Sequence, residues 1–476
     1  MEVRRILALV AFLAGVVASI GACTPAGAPP VTAASAAATG RGTIVLPREI
    51  EKLVGPADQH AALQAYVDRV GQRVVAAAGV GGFRFVVLDS PVANAHAVQS
   101  YIFVTRGLLA LLENEAELAA AIGHELGHLV RRHAAQRARV RQTVLDAAVE
   151  AAATSGSVTV GRAVAQDGLL ALRRYSREQE FEADRLALGY IVKAGYRGDA
   201  MASLIDRLRR QSALEAQIMG EAPDIGDRPS AASTHPVPVE RTSAIAALPL
   251  ANAPGESNEK GYFAAIDGMS VDDPPSEGFI RGRSFLHPTL RLSFTAPPGF
   301  RLFNDSDGVV AVNRDRSLML FSCLPTPVSG PLDDWMRNKL KPTPTDIQTL
   351  EINGSEAAMG ARPRGSDTGL GQARYVAIRD GNRVCNFALV SEGADQDRQI
   401  EAMIRAARTF RTLTPAEAAA LQPYRLRIVS PAGSTPAQLA ARMPYPDLRM
   451  ERLLVLNAAQ MPADLGSRSE IKIVQP

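Results

Sequence analysis

The sequence predicts a multidomain α+β protein: a mainly α-helical first domain with a small β-sheet, then an α+β domain, then a small βααβ module. Three observations carry this. The chain has 476 residues, 46% of them hydrophobic, which is enough for more than one core. Apolar residues recur at helical spacing through most of residues 47–250, whereas residues 284–414 hold short strand-like runs between turn residues. Breaks rich in Pro, Gly and Asp separate these stretches, around Met219 to Ser233 and again from Leu248 to Gly282. The expected boundaries are 47–250, a linker at 251–283, 284–414 and 423–476.

Lys and Arg number 52 against 49 Asp and Glu, a formal +3, so there is no basic stripe of the kind a phosphate backbone demands and nucleic acid is not an expected partner.

The N-terminus reads as an export signal over residues 1–22. Arg4 and Arg5 precede an apolar run from Ile6 to Ile20, too short to span a bilayer comfortably, followed by the small residues Gly21 and Ala22. Ile20-Gly21-Ala22-Cys23 resembles the lipobox of bacterial lipoproteins, which implies that Cys23 is acylated and becomes the mature N-terminus. An ordinary signal peptide cut at Ala22 is the alternative. Residues 23–46, mostly Ala, Pro, Gly, Ser and Thr, form a flexible tether. The resemblance implies a periplasmic protein lipid-anchored to a bacterial membrane, and Thr24 rather than Asp after Cys23 favours the outer one.

In the first domain, Leu63 to Ala77 has helical spacing, and Phe83 to Leu88 and Tyr101 to Val104 read as strands. Asn114, with Glu117 three residues on, makes a cap and capping box for a helix through Leu118, Ile122 and Leu129. That helix carries HELGH. Residues four apart share a face, so His124 and His128 can offer two imidazole nitrogens to one Zn²⁺. Glu125 sits beside them as a base for a water that such an ion acidifies. A glycine three residues after His128 and a histidine six after it would complete a metzincin pattern. Those places hold Arg131 and Ala134, with His133 one position short, so the third ligand lies elsewhere.

It is expected in SREQEFEAD, Ser176 to Asp184, within a second helical segment. Glu180 and Asp184 are four apart and share a face while Glu182 points away. This makes Glu180 the expected ligand and Asp184 the group that holds a ligand histidine by its other ring nitrogen. Val144 to Leu172, rich in Ala and Val but broken by Glu150, Arg162 and Asp167, reads as helices flanking the site.

HELGH, SREQEFEAD and the stretch from NAHAV through YIFVTRGLLALLENEAELAAAIGHELGHLVRRH together resemble peptidase family forty-eight, a gluzincin family, over about Pro47 to Leu248. The resemblance implies one zinc ion per subunit bound by His124, His128 and Glu180, Glu125 as general base and Asp184 as supporting acid. STHPVPVERTSAI, from Ser233, is similar to a family segment that would bring His235 to the metal and let Arg241 brace the site. The two strands resemble active-site strands whose exposed edge pairs with an extended substrate. Where many relatives carry Pro-Gly-Gly before the second strand, this chain has Val98, Gln99 and Ser100. The implied activity is endopeptidase action on unfolded or misassembled envelope proteins. The alternative is a chaperone-like or peptidoglycan-binding envelope lipoprotein with little proteolysis.

In the second domain, Leu290 to Phe294, Val309 to Val312, Leu318 to Cys323 and Ala373 to Ile378 read as strands and Gln399 to Thr409 as a closing helix. His287 and Trp335 are expected in its core or rim. Cys323 and Cys385 are the two cysteines left if Cys23 is acylated, and they form either a disulfide or two buried thiols. The third block resembles a LysM module: strand Tyr424 to Val429, a turn at Gly433-Ser434-Thr435, Leu453 to Asn457 as Leu-x-x-Leu-Asn, and a closing strand at Ile471 to Val474. That resemblance implies peptidoglycan as a further partner.

Overall fold

The computed structural model describes residues 45–220, 239–305, 308–324, 327–362, 372–392 and 395–476. They divide into two compact units, one running to Val271 and resuming with Tyr424–Gln475, the other Asp272–Pro423. Three separate folded blocks were expected. The C-terminal block instead shares a single hydrophobic core with the first.

In the first unit, α1 (Arg48–Val54) and α2 (Ala61–Ala78) lead into three strands, β1 (Arg84–Leu88), β2 (Ala95–Val98) and β3 (Tyr101–Thr105). Leu63, Val67, Val70 and Val74 recur at helical spacing along α2 and are all buried. The sheet order is β1-β3-β2, with β1 parallel and β2 antiparallel to β3. The expected strand at Tyr101 is therefore central, not an edge. The outer side of β1 is occupied too, because the Gln64 amide donates to the Phe85 carbonyl and accepts from the Val87 N–H, at 2.7 and 2.9 Å. The remaining edge belongs to β2. Val98 pairs with Tyr101, leaving Gln99 and Ser100 as a two-residue turn in which Gln99 has φ 56°. Such a turn favours glycine at its first position, where this chain has Gln99.

Five helices follow: α3 (Arg106–Leu111), α4 (Glu115–Val130), α5 (His133–Ser155), α6 (Val158–Lys193) and α7 (Ala200–Met219). SREQEFEAD thus lies in the C-terminal half of one 36-residue helix. That helix folds back on α5 as a hairpin, with Gly161 against Ala148 and Ala152 and Gly168 against Val144. Among the described residues no helix is long and apolar enough to cross a membrane.

After α8 (Val239–Ala246) comes α9 (Glu259–Ile266), inside the stretch expected to be a linker. That expectation is corrected: Tyr262, Phe263 and Ile266 are buried in the core, and the Tyr262 hydroxyl donates to the Leu109 carbonyl at 2.6 Å. An eight-residue amphipathic stretch between Pro-, Gly- and Asp-rich flanks is too short to outweigh their turn signal.

The second unit opens with β4 (Phe279–Arg281), β5 (Ser284–His287) and β6 (Leu292–Thr295). Next come β7 (Arg301–Asp305), β8 (Gly308–Val312), β9 (Ser317–Cys323), α10 (Leu332–Lys339), β10 (Thr345–Ile352), β11 (Ser355–Ala361), β12 (Gln372–Asp380) and β13 (Arg383–Ser391). It closes with α11 (Gln396–Ala407), β14 (Arg411–Thr412) and α12 (Pro415–Ala420). The larger sheet runs β10-β11-β12-β13-β9-β8-β7 and the smaller β14-β6-β5-β4. Cys323 and Cys385 stand opposite each other on β9 and β13 and form a disulfide. His287 is buried and its Nδ1 accepts from the Leu290 N–H. Burial pushes its pKa down to about 4, which marks a neutral core histidine. Trp335 packs beside Leu332 and Met336, half-buried.

The C-terminal block is β15 (Arg425–Val429), α13 (Pro436–Ala441), α14 (Arg449–Leu456), the short α15 (Ala463–Gly466) and β16 (Ile471–Gln475), with β15 and β16 antiparallel. Asn457 ties the end of α14 to β16, donating to the Leu453 and Lys472 carbonyls and accepting from the Lys472 N–H. Lys472 is wholly buried. Its ammonium donates to the carbonyls of Ala110, Leu111 and Leu112 at 2.6–3.2 Å and pairs with Glu113 at 2.9 Å. Those carbonyls end α3 and have no partner within that helix, so a cation there both satisfies them and complements the helix dipole. Lys472→Met leaves them and Glu113 without that partner. The substitution is expected to lower the stability of this unit by roughly 3 kcal/mol, read as an earlier calorimetric transition, whereas an unchanged transition would show the clamp to be dispensable.

A candidate metal centre between two close-packed helices

The helix that carries the motif histidines is fixed at its start by charge. The Asn114 side chain accepts from the Glu117 N–H at 3.0 Å. Glu117 Oε2 returns to the Glu113 N–H at 2.8 Å, so the expected capping box closes one residue earlier than drawn from sequence. Glu115 accepts from the hydroxyls of Tyr66 and Tyr196, and Glu117 pairs with Arg207 at 2.6 Å. Two acids at a helix N-terminus suit its dipole.

Further along, α4 lies against α6 at Gly123 and Gly127. A Cβ on Gly123 would stand 3.3 Å from the Ala187 Cα, and one on Gly127 3.2 Å from the Ala183 Cα. Small residues four apart on both helices thus permit a close crossing, and the face so presented holds the chemistry. His124 Nε2 and His128 Nε2 are 3.0 Å apart, and Glu180 places one carboxylate oxygen 3.3 Å from the first and the other 3.4 Å from the second. All three side chains are buried.

Behind these atoms stand a carboxylate and a guanidinium that bond to them. Asp184 Oδ1 lies 2.9 Å from His124 Nδ1, and Arg241 on α8 grips Asp184 with two bonds of 2.8 and 2.7 Å while reaching Glu180 at 3.2 Å. Burial alone would raise the Asp184 pKa, but the Arg241 guanidinium and the His124 bond hold it below the usual carboxylate range. Burial likewise opposes a charged His124, and the bonds to Asp184 and Glu180 outweigh it to raise that pKa. Glu125 is buried beside the histidines on α4. Glu182 faces away from the three donors, toward Arg131 and His133. Cys23 and His235 lie outside the described residues.

Sequence reasoning missed His133. It is fully buried, with Nδ1 2.8 Å from His128 Nδ1. Its place after HELGH was visible, but the left-handed Arg132 (φ 54°) that turns the chain back between α4 and α5 was not.

These residues fit zinc. Tetrahedral zinc with bonds of 2.0–2.2 Å spaces its donors by roughly 3.3 Å, and two imidazoles with one carboxylate form a known catalytic set that keeps a fourth position open. The two histidine nitrogens, 3.0 Å apart, come near that spacing, and each lies 3.3–3.4 Å from one of the two Glu180 carboxylate oxygens. The fold and the site thus define a zinc-binding centre of the two-histidine, one-glutamate kind that zinc hydrolases use.

Residues 61–248 match Peptidase family M48. Mitochondrial metalloendopeptidase OMA1 of Schizosaccharomyces pombe is 31% identical over 199 residues, which cover 41% of this chain and 56% of that one. Beta-barrel assembly-enhancing proteases of Yersinia pestis and Escherichia coli K12 are 26% and 25% identical, each over 38% of this chain and over 38% and 37% of their own lengths. The chain therefore spans well under two thirds of the relatives it matches.

If Asp184 orients His124, Asp184→Ala is expected to lower zinc affinity about 10- to 100-fold, and Asp184→Asn, which keeps an acceptor oxygen, by less. Competition against a chromophoric chelator measures both. Equal affinities for wild type and Asp184→Ala would remove Asp184 from that role.

Proposed function

We propose that the protein is a zinc metalloendopeptidase of the cell envelope that hydrolyses peptide bonds of unfolded or misassembled proteins. The observation that carries this reading is the convergence of His124 Nε2, His128 Nε2 and the Glu180 carboxylate, with Glu125 one residue from the first ligand. When bound there, zinc supplies a Lewis acid that polarises a peptide carbonyl and acidifies water. Glu125 takes the proton released in the attack and delivers it to the leaving nitrogen. Asp184 and Arg241 keep His124 and Glu180 in place meanwhile. The β2 edge, packed against α4, offers backbone groups to an extended substrate. An extended backbone is what an unfolded chain presents and a folded one hides. The names of the relatives, an assembly-enhancing protease and a metalloendopeptidase, support the same class of activity.

Glu125→Gln should keep one zinc per chain and lower casein cleavage by ~10²- to 10⁴-fold, because the ligands remain and the base is gone. His124→Ala and Glu180→Ala should lose the metal as well. Zinc retained by Glu180→Ala but lost by Glu182→Ala would reverse the ligand assignment, and full zinc without cleavage in wild type would favour the binding-protein reading. In the same assay His235→Ala raises cleavage if this histidine plugs the fourth position and lowers kcat if it donates to the developing oxyanion. Unchanged kinetics would place His235 outside the site.

Cys23 anchors the protein in this reading, as the acylated N-terminus at the periplasmic face of a bacterial membrane, with the outer membrane favoured by Thr24. Mass spectrometry of the mature N-terminus should find acylated Cys23, and Cys23→Ser should leave the protein either uncleaved or soluble. An unmodified N-terminal residue other than Cys23 would sink the anchor.

A further inference from the structure

We infer that His133 and Glu182 form a relay that fixes the tautomer and aim of His128, so that each ligand histidine is set by a carboxylate of α6, one directly and one through a second imidazole. The inference rests on the zinc-site reading and goes beyond it. His128 turns Nε2 toward His124 and Glu180, and that nitrogen needs a bare lone pair to bind a metal, so the proton must sit on Nδ1. His128 Nδ1 lies 2.8 Å from His133 Nδ1. Two ring nitrogens at that distance need one donor and one acceptor, which makes His133 Nδ1 the acceptor and puts its own proton on Nε2. His133 Nε2 lies 3.1 Å from Glu182 Oε2, a partner that only accepts. Glu182 is itself held by Arg131, 2.6 Å from its other oxygen.

The opposite arrangement shows what the relay prevents. A proton on His133 Nδ1 would make His128 the acceptor there and move the His128 proton to Nε2, where it would block the ligand lone pair. A bond to Glu182 disfavours that tautomer. On the other side, Asp184 does the same for His124 in one step. Glu180, Glu182 and Asp184 stand at alternate positions of one helix, so α6 supplies the ligand carboxylate and the acceptors behind both histidines. Buried His133 and Glu182, which is about one-third exposed, act through His128 and are positioning residues.

The test separates an acceptor from a filler of space. Asn in place of His133 keeps an oxygen near the Nδ1 position, Gln reaches only the outer nitrogen, and Phe keeps the volume with neither. Measured by chelator competition, His133→Phe and His133→Gln should weaken zinc binding about 10- to 100-fold while His133→Asn stays within about threefold of wild type. The d–d bands of the cobalt-substituted protein should shift in the first two and hold in the third. Glu182, about one-third exposed, offers a second pair that spares the core: Glu182→Ala should weaken binding about tenfold and Glu182→Gln much less. Wild-type affinity in His133→Phe, or in Glu182→Ala should the His133 variants fail to fold, would overturn the relay. So would equal losses in the Asn and Phe variants. Failure of the zinc reading itself would look different, since wild type would then bind no stoichiometric zinc or His124→Ala would retain it.

Discussion

The close crossing of α4 and α6 is the constraint on which the rest of the site depends. Histidines on one helix and a carboxylate on another can share an ion only if the backbones come near enough for short side chains to meet. Gly123 and Gly127, set against Ala187 and Ala183, permit this. The glycine inside HELGH therefore serves packing, and His124 and His128 turn toward Glu180. Glycine in a helix interior costs about 1 kcal/mol relative to alanine, a cost offset here by burial of the whole α4 face.

A second consequence follows from having the carboxylates on one element. An α-helix is stiff over the single turn that separates Glu180 from Asp184, so the ligand and the groups behind the ligands cannot drift independently. Arg241 adds a third element, α8, by bridging Asp184 and Glu180. At its other end α4 is held by Glu113, Glu115 and Glu117, whose partners come from α2, α7 and the C-terminal block. A helix anchored by ion pairs at its start and by close packing along its length presents His124 and His128 with little freedom, which favours binding over reorganisation.

What the sequence made legible was local. A cap, a three-four periodicity and an i, i+4 pair are properties of single segments, and so Asn114, HELGH and the Glu180 and Asp184 pair could be placed on helices before any contact was known. What stayed hidden depended on distant segments meeting. Lys472 reads as one charge in a closing strand, and only its burial against the carbonyls ending α3 shows that the C-terminal block shares the core of the first domain. Tyr262 and Phe263 lay in a presumed linker for the same reason. His133 was dismissed on spacing, because a metzincin-type third ligand needs one more residue. The left-handed turn at Arg132 makes the shorter spacing point at the back of His128 instead.

Charge explains why the pocket favours a divalent cation. Glu125, Glu180 and Asp184 bring three carboxyl groups into a buried space, and Arg241 brings one guanidinium. Ionised, they sum to two negative charges, an imbalance that costs several kcal/mol per unpaired group in a poorly solvated interior. A dication restores neutrality at the one place where three donor atoms converge. Before it binds, part of the same role falls to a proton, which is why His124 holds its proton more firmly than burial alone would allow. Proton and metal thus compete for one histidine. A second buried cation in place of any of these acids would neutralise the pocket beforehand and remove much of the drive to bind the metal. In this light Arg241 is placed to stabilise the carboxylates while leaving two charges for the ion to balance.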